Sequence, residues 1–87
     1  MLAQVVVNNS RQVVIQLQTI NFAAIYIDIL AESGSYLRVY INGTLYWAQS
    51  KSFNNDFISV KLFPTSNDKI EVETDGRAYV TIHGMIE

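Results

Sequence analysis

Apolar and polar residues alternate with a period of two along most of this chain, and no segment sustains a helical period of 3.6. In residues 12–18, Val13, Ile15 and Leu17 point one way while Gln12, Gln16 and Gln18 point the other. In residues 22–30, Ile25, Ile27 and Ile29 read as inward, with Tyr26 and Asp28 outward. In residues 57–62, Ile58, Val60 and Leu62 are inward, and Ser59 and Lys61 outward. Val, Ile, Tyr, Phe and Thr are strand formers, and turn residues recur at the spacing of short strands. Turns are expected at 8–11 (Asn-Asn-Ser-Arg), at a corner 19–21, in the loop 31–35 and at 63–68, where Pro64 cannot donate to a ladder. Residues 50–56 read as polar and irregular around Phe53.

The most specific local signal is Asn42-Gly43 between two apolar runs. Both residues of a two-residue hairpin loop need φ > 0, which Asn and Gly tolerate. An unbroken register sets Ile41 opposite Thr44, Val39 opposite Tyr46 and Leu37 opposite Ala48. That face suits a core. The other face then carries Tyr36, Arg38, Tyr40, Leu45, Trp47 and Gln49, with Arg38 across from Trp47. Near the end of the chain a second hairpin is expected. A three-residue Thr74-Asp75-Gly76 loop with Gly76 left-handed keeps Val72 with Ala78 and Ile70 with Val80, and it pairs Glu73 with Arg77 and Glu71 with Tyr79.

These elements predict an all-β chain with a single domain over residues 1–87. The expected architecture is a small antiparallel β-sandwich of about eight strands, jelly-roll-like or immunoglobulin-like. A chain of 87 residues buries a modest core. It has no cysteine, so disulfides and thiolate metal sites are excluded. Net charge is −2, from six basic and eight acidic residues spread singly, so there is no basic stripe for a nucleic acid. No apolar run reaches the ~18 residues of a membrane span, and the first residues read as a strand rather than a signal peptide.

Catalytic chemistry finds little footing. His83 is the only histidine and no motif surrounds any serine. Glu71 and Glu73 share one strand face, where a solvated surface explains them without hydrolysis. The oxygen-rich runs 54–56 and 66–68 are turn chemistry before they are a calcium site, and 8–10 and 42–44 match the glycosylation pattern but read as turns. No enzyme, cofactor or metal is therefore expected. What stands out is the aromatic second face of the 36–49 hairpin, where a lone monomer's sheet would be polar. Tyr, Trp and Arg concentrate at protein interfaces, and rings also stack on sugars. Tyr26 is expected to extend that surface. The leading expectation is a structural or adhesion module that self-associates, as a trimer or other small ring, or joins other structural proteins. A virus or phage particle, as decoration, fibre or baseplate part, is the setting expected. The alternative is a lectin-like, carbohydrate-binding module that presents the aromatic face to a glycan.

Overall fold

The last strand organises the molecule. In a computed structural model, which describes residues 2–17, 22–63 and 67–86, Lys69–Ile86 is a single strand of 18 residues. The strands in chain order are β1 (Ala3–Gln16), β2 (Phe22–Gly34), β3 (Leu37–Ile41), β4 (Thr44–Gln49), β5 (Phe53–Leu62) and β6 (Lys69–Ile86). All pairings are antiparallel, and the six strands form one sheet. β1 runs along one edge of β6. The other edge of β6 is shared: β3 pairs with residues 70–74 and β2 with residues 77–86. β4 lies outside β3, and β5 outside β2.

The sheet thus has two leaves. One holds β2, β5 and the flanking halves of β1 and β6, and the other holds β3, β4 and the remaining halves. The leaves meet at a transverse crease. Along it lie the bulge at Asn9 (φ 47) in β1, Asp75-Gly76 in β6, Gly34 (φ 132) with Ser35 and Tyr36 between β2 and β3, and residues 50–52 between β4 and β5. Bulges and glycines let a sheet bend sharply. The sheet folds over its inner face into a half-barrel. Tyr46 of β4 donates its hydroxyl to the carbonyl of Lys61 in β5 at 3.0 Å, which joins the outermost strands of the two leaves.

The inner face is the core. Ile25, Ile27, Ile29, Leu37, Val39, Leu62, Ile70, Val72, Val80 and Ile82 are fully buried. They come from both leaves and form one cluster with Val7, Val60 and Phe53. The inward sets read from the alternation of residues 22–30 and 57–62 are those observed, with Ile58 half-buried against the core.

Among the described residues there are six strands where about eight were expected, and they form one curled sheet in place of the expected two-sheet sandwich. The two turns expected at 8–11 and 74–76 are places where a strand bends without ending. Asn9 does adopt a left-handed conformation, but inside a continuous β1. Gly76 is not left-handed at all. A Cβ there would sit 2.1 Å from the Ser33 carbonyl oxygen, so the glycine serves close backbone approach instead of a turn. Consequently Glu71 faces Val13 and Tyr40, and Glu73 faces Arg11 and Arg38, where Tyr79 and Arg77 were expected. Val13, expected inward, is 48% exposed, because a register shift follows it. Residues 31–34, expected as loop, extend β2, and residues 53–56 open β5 with Phe53 buried. The corner at 19–21 and the middle of the turn at 63–68 lie outside the described residues.

The two glycine roles separate experimentally. Gly43 has φ +83 and open space around it, so Gly43→Ala should cost only the left-handed strain, about 1–2 kcal/mol. Gly76→Ala forces backbone apart at the crease and should cost about 3 kcal/mol or more. Urea denaturation of the two variants measures both; equal losses would contradict the crease.

Candidate functional site

The Asn42-Gly43 hairpin forms as expected, with φ values of 52 and 83. Its register does not persist. Ile41 pairs with Thr44 and Tyr40 with Leu45, but Val39 then pairs with Trp47, which leaves Tyr46 as the extra residue of a bulge. One inserted residue moves every later side chain to the opposite face. Trp47 and Gln49 therefore join the rows of Val39 and Leu37 on the core side, and Trp47 is half-buried against the core. Ala48, not Trp47, stands across from Arg38. Of the six residues expected to share the outer face, Tyr36, Arg38, Tyr40 and Leu45 do so.

Tyr36, Arg38 and Tyr40 belong to a closed network, and Leu45 stands exposed at its edge. Arg11, Glu73 and Arg38 align across β1, β6 and β3, and Val13, Glu71, Tyr40 and Leu45 form the next row. Arg11 grips Glu71 with two nitrogens at 3.2 and 3.1 Å and lies 3.6 Å over the Tyr40 ring. Glu73 accepts from the Tyr40 hydroxyl at 2.7 Å and from Arg38 at 3.2 Å. Arg38 in turn covers the Tyr36 ring at 4.3 Å. The Tyr40 hydrogen bond, helped by Arg38, holds the Glu73 carboxyl below the usual carboxylate range. The same bond raises the Tyr40 phenol, since a phenolate there would face a carboxylate. One face of each ring is thus taken by a guanidinium, and the rings do not make one open platform.

Asp75 acts at the crease. It accepts from the Ser35 hydroxyl, from the Ser35 amide at 2.7 Å and from the Tyr36 amide at 3.4 Å. These donors, the Ser35 hydroxyl first, hold its carboxyl below the usual range. Beside it, buried Thr74 donates to the Tyr36 carbonyl at 2.9 Å and accepts from the Gly76 amide at 3.2 Å. Asp75 and Thr74 together fasten the β2–β3 link to β6.

Tyr26 does not extend the hairpin surface. It lies on the other leaf, between His83 and Lys61. There the Ser59 hydroxyl donates to Asp28 at 2.7 Å, and His83 Nε2 lies 3.3 Å from the other Asp28 oxygen. The carboxylate sits between serine and histidine. A nucleophilic site needs the histidine in the middle, so this order does not activate the serine. Among the described residues no three His, Cys, Asp or Glu side chains converge as metal ligands. None of the helical spans that could cross a membrane is present among the described residues.

The feature that sequence reading missed lies on this same outer face. Val6, Tyr79, Leu30 and Phe57 stand directly side by side on β1, β6, β2 and β5. Val6 is 44%, Leu30 38% and Phe57 69% exposed. Each alone is an unremarkable surface residue, and only the pairing of four distant segments puts them in line. Compared with protein-family models, with curated proteins and with solved structures, the chain matches none.

The two depressed carboxyls set an acid dependence. A group whose pKa is lower folded than unfolded adds stability at pH values above its unfolded pKa, and this is lost as pH falls through the folded one. Loss should therefore begin near about pH 4 and continue downward. Asp75→Asn should lower stability at pH 7 and flatten the acid limb. Urea midpoints from pH 7 to pH 2 check this; an unchanged limb would show that Asp75 is not held by Ser35.

Proposed function

We propose that this chain is a non-enzymatic assembly module that works by self-association through its sheet surface. The observation that carries this reading is the exposed row Val6–Tyr79–Leu30–Phe57. An aligned apolar strip across four strands buries efficiently only against another surface. The adjacent leaf also exposes Val13 and Leu45, but in their row they are separated by Glu71 and Tyr40, whose polar groups are taken up in ion pairs and stacked rings of the same leaf. A small curled sheet with one such strip gains most from being present in many copies, which suits the virus or phage particle expected from the sequence. The carbohydrate-binding reading has less support: Trp47 is turned toward the core, and Tyr36 and Tyr40 are each covered on one side.

Static light scattering across ~10 μM to ~1 mM tests the proposal at the affinities typical of modest interfaces. Association that rises with concentration is expected, and Leu30→Lys should abolish it while far-ultraviolet circular dichroism stays unchanged. A wild-type monomer throughout would sink this reading. Glycan-array retention that Tyr40→Ala removes would favour the carbohydrate module instead.

A further inference from the structure

The same leaf contains more than an apolar strip, and its layout specifies the partner. On one side of the strip the rows run Gln4, Thr81, Asp28, Ser59 and, beyond, His83, Tyr26, Lys61. On the opposite flank of the strip, Arg77 pairs in register with Ser33, next to Glu32. Glu32 continues the outward alternation of Tyr26, Asp28 and Leu30. Among the described residues Arg77, Lys61 and Glu32 make no ion pair, whereas Arg11, Arg38, Lys51, Lys69 and His83 do. Arg77 is exposed and rests only on the Tyr79 ring, at 5.3 Å.

We infer that the occupant of this face is a second copy of the chain, stacked sheet on sheet about a two-fold axis that runs parallel to the strands between β2 and β6. The inference rests on the self-association reading above and adds its surface, symmetry and register. Such an axis exchanges β6 with β2 and β1 with β5 while keeping each row at its own level. Tyr79 then meets Leu30 of the second copy, and Val6 meets Phe57 of the second copy. In the next row the Thr81 hydroxyl faces the Asp28 carboxylate of the second copy, and Gln4 faces Ser59. On the other flank Arg77 reaches the position of Ser33 and Glu32 in the second copy, so that a cation and a carboxylate without ion partners in their own chain meet. A two-fold contact must be complementary to itself, and every one of these rows is.

The size is adequate. Four strands about 4.8 Å apart, over about nine residues at about 3.3 Å each, give a rectangle of roughly 500 Å² in plan. Side chains standing on that rectangle increase its accessible area toward the about 800 Å² per partner of a standard interface. Aligned stacking of twisted sheets is a common packing mode.

Sedimentation equilibrium of the intact chain tests the geometry. The wild type should fit a monomer–dimer equilibrium. Arg77→Glu and Glu32→Arg should each weaken it about tenfold, because symmetry repeats every contact twice. The double variant Arg77→Glu with Glu32→Arg should return to within about threefold of wild type, since the pairs are restored with their signs exchanged. Phe57→Lys should leave only monomer, with its circular dichroism unchanged. Failure of the double variant to recover, indifference to Phe57→Lys, or a trimer as the limiting species would overturn this arrangement and leave self-association standing. A wild-type chain that is monomeric at every concentration would overturn both.

Discussion

Everything in this fold follows from the place where β2 and β3 hand over to one another along a single edge of β6. The backbone of Ser33 comes so close to Gly76 that no side chain fits there, and Asp75 reaches across to the amides of Ser35 and Tyr36. Without that approach the two leaves would lie flat, and a flat sheet of this length would leave its Ile, Val and Leu face wet. Because the crease bends the sheet, each leaf becomes the lid of the other. Residues far apart in the chain, such as Val7, Val39 and Leu62, then share one core with no second layer among the described residues to cover them. Hydrophobic burial supplies the driving force, but the glycine and the carboxylate decide where it can be collected.

That division of labour sets what could be read in advance. Alternation within a strand is a local property, so the inward sets Ile25, Ile27, Ile29 and Ile58, Val60, Leu62 were legible, as was the Asn42-Gly43 turn. Whether a Gly or Asn ends a strand or only bends it depends on what lies beside it. Asn9 takes the backbone conformation of a turn without reversing the chain. Gly76 has the identity of a turn residue and is needed for a different reason altogether. The bulge at Tyr46 was illegible for a similar cause: nothing in the run Leu45-Tyr46-Trp47 marks which aromatic is the extra one. The core takes Trp47 and leaves Tyr46 to close the half-barrel through Lys61.

The two outer faces show how differently strands from one sheet can be finished. Around Tyr40 every charge has found a neighbour within the chain, and the rings serve as supports for guanidinium groups. Around Leu30 the apolar side chains are lined up and the flanking charges Arg77 and Glu32 stand apart. The expected hairpin residues and the strip that carries the proposed function thus sit on opposite sides of the crease, while Tyr26 shares the strip's leaf. The expected register of the 36–49 hairpin pointed to an aromatic surface there; the strand order revealed the aligned apolar row on the other leaf.

The irregularities of β1 have a bearing on the form any assembly can take. Its outer edge bears no neighbouring strand among the described residues, and such an edge ordinarily invites endless strand-by-strand growth. Here it is broken by two register shifts, between Asn8 and Ser10 and between Val13 and Ile15. A kinked rim makes a poor template for another strand. Growth by strand addition is thereby disfavoured along β1, the longest strand with a free edge among the described residues.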